Sequence, residues 1–344
     1  MSKKFFIKNK NIMESPYIIA EIGINHEGNI EIAKKLIKQA KKAGANAVKF
    51  QVFRPEVLAT PKLKKTNLQK KSMSKETISE MWKRVCLNES QIIKLKKLSN
   101  KLNIDFICSF FDKSSLDIVN RIGVDAFKVA SSDINDEYLL YNLKKVKKPI
   151  ILSTGMASLK EIKRALSILK GKKVCILHCI SMYPCPNIYA NLSRITSLKK
   201  KFNLPVGYSD HCKDTQASIQ AIAYGSNIIE KHFTLNKKIK GADHSLSADF
   251  KDLKKIVEFG KEYKLFIGNG DIEPSKKEKK YRKFFRKSIY FDKDLKINSK
   301  LNFNNLIIKR PESFYKPKDF MKLIGKKTKK IVKKYQSVSP KVIK

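Results

Sequence analysis

Residues 206–233 read VGYSDHCKDTQASIQAIAYGSNIIEKHF, and this stretch decides the fold. A short run at Val206–Tyr208 leads into Ser209, Asp210 and His211, and a helix is expected from Thr215 to Tyr224, closed by Gly225. A second strand, Ile228–Lys231, then delivers His232. Strand, helix and strand in this order make a parallel βαβ unit, so both histidines arrive at the same end of neighbouring strands. Two imidazoles converging beside Glu230 and Asp210 have the makings of half a metal site, although a lone histidine is as well explained by a structural role.

The same alternation runs through the chain from residue 17. Apolar runs occur at Tyr17–Asn25, Ala47–Phe53, Asp105–Phe111, Ala126–Ser131, Pro149–Thr154, Val174–Ile180, Val206–Asp210 and Ile228–Phe233. Amphipathic segments separate them, among them Ile30–Ala43, Leu116–Arg121 and Leu159–Leu169, and a helix at Phe250–Lys264 closes the set. After the second run the connection is longer, with a loop near Thr60–Ser74 and helical stretches at Ile78–Val85 and Ser90–Lys101. Eight strands with helical crossovers specify an α/β fold of the (β/α)8 TIM-barrel type, whose chemistry sits at the C-terminal strand ends. Polar residues collect there: Glu21, Asn25 and His26; Lys49 and Gln51; Ser109 and Asp112; Lys128, Ser131 and Asp133. Ser153 and Thr154, then His178, Ser181 and Tyr183, then Ser209, Asp210, His211, Glu230 and His232 complete the ring.

At 344 residues with 42% hydrophobic content, the chain holds one large domain and a small one. The barrel is assigned to 1–267, a basic linker to 268–287 and a small, mostly β domain to 288–344. Eight of the twelve residues from Lys276 to Lys287 are basic. The formal charge of +43 is spread over nearly every expected helix rather than gathered on a base-reading element, which argues against nucleic-acid binding. Its summed field draws anionic substrates inward. Six cysteines without a CxxC pair point to reduced thiols and a cytoplasmic protein. Neither a signal peptide nor a membrane span is expected.

Lys49 and Lys128 lie in otherwise apolar strands, AVKFQVF and AFKVAS. A buried lysine needs an anion or a lowered pKa. Facing a barrel mouth with Ser131, Ser153 and Ser209, the two make a phosphate or carboxylate cradle; pairing with internal carboxylates is the alternative. A Schiff-base lysine is a further option, but the two histidines favour a divalent Lewis acid, Mn²⁺ or Mg²⁺, with a mostly oxygen shell.

The segments YIIAEIGINHEGN, AVKFQVF, AFKVASSDI, ILSTGMAS, LHCISMYPCP, VGYSDHCKD and IIEKHFTL…GADHSLS, in this order, resemble the sialic acid synthase (N-acetylneuraminate synthase) family almost end to end over the barrel. SIYFDKDLK…LIIKRP…LIGK resembles that family's C-terminal antifreeze-like (SAF) domain. The resemblance implies a metal-dependent condensation of phosphoenolpyruvate with an open-chain N-acylated amino hexose, releasing phosphate by C–O cleavage. It implies His211 and His232 as metal ligands, with Mn²⁺ ahead of Mg²⁺. Lys49, Ser109, Lys128, Ser131, Ser153, Ser181, Tyr183 and Ser209 match phosphoenolpyruvate-binding positions. Glu21 and Glu230 match carboxylates near the reacting carbons, with Glu21 favoured to activate the water; Gln51, Asp133 and Asp243 match sugar-binding positions. Arg310 matches an arginine that reaches the other subunit's site, which implies a domain-swapped homodimer.

Some positions depart from the family pattern. Ser109-Phe110 stands where Thr-Pro is common, Ser181 where Asn is often found, and Asp133 where some members have Glu. ESFYKPKDF replaces a glycine-containing segment after Arg310-Pro311. The sugar is left open between N-acetylmannosamine and the 2,4-diacetamido-6-deoxy hexoses that lead to legionaminate or pseudaminate. A lysine-dependent aldolase using Lys128 and a basic nucleic-acid-binding scaffold are the remote alternatives.

Overall fold

The structure, a computed structural model, describes residues 4–60, 62–64 and 76–344, so the loop expected near Thr60–Ser74 lies largely outside the described residues. Two compact units divide the chain, Met1–Ile267 and Gly268–Lys344.

In the first unit, a two-residue-strand hairpin, β1 (Phe6–Ile7) and β2 (Lys10–Asn11), precedes eight parallel strands. These are β3 (Tyr17–Gly23), β4 (Ala47–Val52), β5 (Asp105–Phe110), β6 (Ala126–Val129), β7 (Ile150–Ser153), β8 (Val174–Cys179), β9 (Val206–Asp210) and β10 (Ile228–His232). They pair in sequence, and β10 closes on β3, so the (β/α)8 barrel read from the sequence is the fold. The first strand ends at Gly23 because the turns beyond it carry the chain towards Asn29, whose side chain caps the helix Ile30–Ala43. Two outer helices, Glu137–Leu143 and Ser193–Phe202, complete the crossovers that the sequence pattern left unmarked. Both are short or lysine-rich, with only two or three buried residues each, so their apolar stripes are faint.

Side chains alternate across each strand, and this period of two sets what fills the barrel. At its N-terminal end Tyr17, Ile19, Ala47, Ile107, Ala126, Ile151, Cys175, Leu177 and Ile228 point inward, and Phe5, Ile7 and Ile12 around the hairpin pack on them as a plug. One position further up, the inward residues turn polar. Gly207 is required in the layer below: a Cβ there would sit 2.5 Å from Leu177 Cδ2 and 2.6 Å from the Ile228 carbonyl oxygen. The outward residues, such as Ile18, Val48, Phe106 and Leu152, form the larger core against the helices.

The second unit carries an antiparallel pair, β11 (Ser288–Phe291) and β12 (Leu306–Lys309), over a small core of Ile289, Phe291, Leu301, Leu323, Val332 and Val338. Within the segment 268–287, read from the sequence as a linker, Lys276–Phe285 is a helix capped by Ser275. Its lysines, with high helix propensity, and the Ser275 cap explain this better than the charge run suggests.

Candidate active site

The polar upper layer of the barrel is built by strand register. Glu21 lies opposite Lys49 on one side and His232 on the other; Ser109 lies opposite Lys128; Ser209 lies between Cys179 and Glu230. These side chains open into a cavity of about 540 Å³, lined among others by Glu21, Lys49, Gln51, Ser109, Lys128, Ser131, Ser153, Ser181, Tyr183, Ser209, His211, Glu230, His232 and Asp243.

Lys49 is the centre of the charge arrangement. Its Nζ lies 3.1 Å from Glu21 Oε2 and 3.4 Å from Glu230 Oε2, and it donates to Ser109 Oγ at 3.2 Å. Burial alone would lower its pKa, but the two carboxylates outweigh burial and hold it above the ordinary lysine value. Lys128 Nζ sits 3.7 Å from Glu230 Oε1, too far to compensate for its burial, and its pKa is lowered. Both readings of these lysines are thus present: they face internal carboxylates and line an open cavity.

The two carboxylates part in character. Burial pushes Glu230 up, but Lys128 and Lys49, with a 2.9 Å hydrogen bond from Ser209 Oγ, outweigh it and hold the group at about 2. Glu21 is raised: burial and the neighbouring Glu230 push it up more than Lys49 and a 2.9 Å bond from Gln51 Nε2 pull it down. A pair so divided keeps one member ionised and lets the other carry a proton.

Two buried hydroxyls here, Ser153 Oγ and Ser181 Oγ, have no hydrogen-bond partner, while Glu21 Oε2 and Glu230 Oε2 face the Lys49 ammonium. Leaving a buried polar atom unpaired costs about 1–3 kcal/mol, so their concentration in one cavity marks the place where a ligand supplies the partners. Ser131 Oγ accepts from the Gly155 backbone N–H at 3.0 Å. A side chain on residue 155 would run into Ser181 Oγ and Ser131 Oγ, at 2.3 and 2.7 Å from its Cβ, so glycine keeps the hydroxyl cradle open.

His211 and His232 have ring centroids 5.5 Å apart, and Tyr183 stacks on His211 at 4.1 Å. The Ile180 carbonyl oxygen lies 2.8 Å from His211 Nδ1, which places the proton on Nδ1 and the lone pair on Nε2. Burial would lower His211, but Cys179 and that carbonyl outweigh it; His232 is lowered by burial and by His211 and stays neutral. His232 Nδ1 faces Asp243 Oδ2 at 3.5 Å, and burial raises Asp243 to about 6. Among the described residues no group of three or more His, Cys, Asp or Glu is arranged to hold a metal ion. The protein's donors stop at the two imidazoles. His232, held neutral by burial, beside the lone pair on His211 Nε2 fits a cation whose other positions are filled by oxygen from substrate and water.

Other polar strand-end residues serve the scaffold. Asp210, read from the sequence as flanking the histidines, instead accepts hydrogen bonds from Ser218 Oγ at 2.6 Å, the Cys212 N–H at 2.8 Å and Lys231 Nζ at 3.1 Å. Asn25 donates to the Phe233 carbonyl oxygen, Asp112 caps a helix, and His178 bonds the Ala190 carbonyl oxygen. Asp133 ends the turn Ser131–Asp133; its carboxylate accepts from Ser132 Oγ, and Ser132 rather than Asp133 lines the cavity. Arg310 belongs to the second unit, where its guanidinium lies over the Phe285 ring. Sequence reading missed Trp82, Phe111, Met156, Cys179 and Ala242 in the lining. They are apolar or ambivalent residues, mostly on connections, where no period singles them out.

The NeuB family matches this chain over residues 36–272. The chain is 37% identical to the N,N'-diacetyllegionaminic acid synthase of Campylobacter jejuni, over 91% of this chain and 96% of that protein. It is 35% identical to the pseudaminic acid synthase of the same species, over 95% of this chain and 96% of that one. Among solved structures, an N-acetylneuraminic acid synthetase from Leptospira borgpetersenii, in complex with citrate, superposes with a TM-score of 0.72 at 35% identity, covering 81% of this chain and 95% of that one. With its closed barrel, its divided carboxylates and matches of this extent, the chain belongs to the NeuB family.

Proposed function

We propose that this protein is a nonulosonic acid synthase that condenses phosphoenolpyruvate with an N-acylated amino hexose. The observation that carries the reading is one cavity that gathers Lys49 and Lys128 with the unpaired hydroxyls of Ser153 and Ser181. Lys49, Lys128 and the hydroxyls of Ser109, Ser131, Ser153, Ser181, Tyr183 and Ser209 supply the charge and donors that a phosphate and a carboxylate need. Gln51, Ser132 and Asp243, further residues of the same lining, are assigned to the sugar.

C3 of phosphoenolpyruvate forms the new bond to the sugar's aldehyde carbon, and cationic character develops at C2. Ionised Glu230, which lines the same cavity, is the carboxylate assigned to stabilise it. Water adds at C2 and gives one proton to Glu21, the carboxylate whose pKa is raised. The C2–O bond then breaks as the C2 hydroxyl becomes the product's ketone: the proton on Glu21 leaves with phosphate, and the second proton of the water, released from that hydroxyl, neutralises the alkoxide formed at the former aldehyde carbon. A divalent cation held by His211 and His232, Mn²⁺ ahead of Mg²⁺, would supply Lewis-acid polarisation of the aldehyde oxygen.

The sugar is N-acetylmannosamine or a 2,4-diacetamido-6-deoxy hexose, the latter matching the relatives named for legionaminic and pseudaminic acids. Arg310 and the second unit, read as an antifreeze-like module, are assigned to a domain-swapped homodimer on the strength of the KRP motif. Among the described residues no helix is long and apolar enough to cross a membrane.

Phosphate release from phosphoenolpyruvate, measured with each sugar, with EDTA and with Mn²⁺ added back, tests the reading. Release that needs both sugar and metal supports it; release from neither sugar by metal-loaded protein overturns it. The lowered pKa of Lys128 favours one second reading, an imine-forming aldolase. Borohydride trapping of a substrate on Lys128, with activity that survives EDTA, would replace the first reading with the second.

A further inference from the structure

The cavity has a polar floor and one apolar side. Trp82, Phe111 and Ala242 all line it, and all three pack on a single cluster built from Ile24, Phe53, Met81 and Val85. Trp82 sits on the helix Ile78–Val85, within the connection that leaves the C-terminal end of β4. It is therefore a rim residue, above the floor formed by Glu21, Lys49 and Glu230.

The helix is fastened in place. Arg84 donates to Glu76 at 2.7 and 3.0 Å and also to Glu27, and Glu27 faces His244 Nε2 at 3.1 Å. Gly28 packs so tightly that a Cβ there would lie 2.0 Å from the Arg84 carbonyl oxygen. Glu27 thus ties together the helix that bears Trp82 and the segment that bears Ala242 and Asp243. The apolar side is a held surface.

We propose that Trp82, with Phe111 and Ala242, selects the sugar by receiving its C6 end and favouring a 6-methyl over a 6-hydroxymethyl group. The inference rests on the synthase reading, which puts the reacting aldehyde over the floor and so sends the far end of the open chain to the rim. A hydroxyl pressed against this surface loses its water partners without gaining a hydrogen bond, whereas a methyl gains burial.

Trp82 is the chain's only tryptophan, so its emission reports directly on this wall. The test pair is N-acetylmannosamine and its 6-deoxy analogue, which differ by one oxygen. With phosphoenolpyruvate bound, the 6-deoxy sugar is expected to shift Trp82 emission and to bind tighter, and to show higher kcat/KM, by roughly tenfold, the scale of such discrimination in an apolar pocket. Trp82→Gln should bring the kcat/KM ratio of the two sugars near one, while Trp82→Phe, which keeps an apolar face, should retain most of it. Silent emission, equal affinity of the wild type for both sugars, or a ratio unchanged in Trp82→Gln overturns the proposal. Absence of phosphate release from either sugar would sink the synthase reading instead, and the emission-derived affinities would still decide the wall.

Discussion

The floor and the rim of the cavity are built by different means. On the floor each functional side chain stands on a strand, its direction set by alternation and its neighbour by register: Glu21 beside Lys49, Ser109 beside Lys128, Ser209 beside Glu230. On the rim, Trp82, Ser132, Asp243 and Ala242 ride on connections, which are tied to one another by side-chain bonds such as Glu27 to Arg84 and His244. A floor set by backbone pairing tolerates little change and suits the chemistry common to a reaction. A rim set by side-chain contacts changes residue by residue and suits the choice of substrate.

The contrast orders the expected effects of mutation. Glu21→Gln should cut kcat by about 10³-fold with phosphoenolpyruvate KM little changed, the scale of a lost general acid–base group. A change confined to KM would show that Glu21 only binds. Lys49→Met removes the cation shared by Glu21 and Glu230 and leaves only Lys128 beside Glu230, and kcat/KM should fall about 10²-fold or more, with a lowered unfolding midpoint. Ser153→Ala removes one unpaired hydroxyl and should raise the KM for phosphoenolpyruvate about tenfold, leaving the sugar KM in place. On the rim, Glu27→Gln should raise the KM for sugar a few-fold, about 1 kcal/mol, and leave that for phosphoenolpyruvate unchanged. Equal effects of Ser153→Ala and Glu27→Gln on both substrates would erase the division between floor and rim.

Legibility follows the same line. The eight strands were readable because apolar runs of near-constant length recur, and the start of each, from Tyr17 to Ile228, was placed to within a residue. The floor was readable for a related reason: Lys49 inside AVKFQVF and Glu230 inside IIEKHF are charges in apolar runs, although Lys231 in the second run is paired structurally with Asp210. Asp210 was misread because a carboxylate beside a histidine looks functional in sequence, while its actual partners, Ser218 and Lys231, come from other elements. Asp210→Asn should therefore lower stability by about 1–3 kcal/mol while sparing the substrate KM values. Trp82 was invisible as a lining residue because one aromatic in ISEMWKRV serves a helix's buried face equally well. Which residues of a connection turn into a cavity depends on long-range contacts such as Gly28 against Arg84, and these leave no periodic trace.

The central claim is that this floor breaks the C–O bond of phosphoenolpyruvate as it forms the C–C bond. Phosphoenolpyruvate labelled with ¹⁸O in the bridging position tests it most directly, with the phosphate from a sugar- and metal-dependent turnover analysed by mass spectrometry. The label is expected in the released phosphate. Unlabelled phosphate, with ¹⁸O kept in the carbon product, would mean P–O cleavage and contradict the roles given to Glu21 and Glu230.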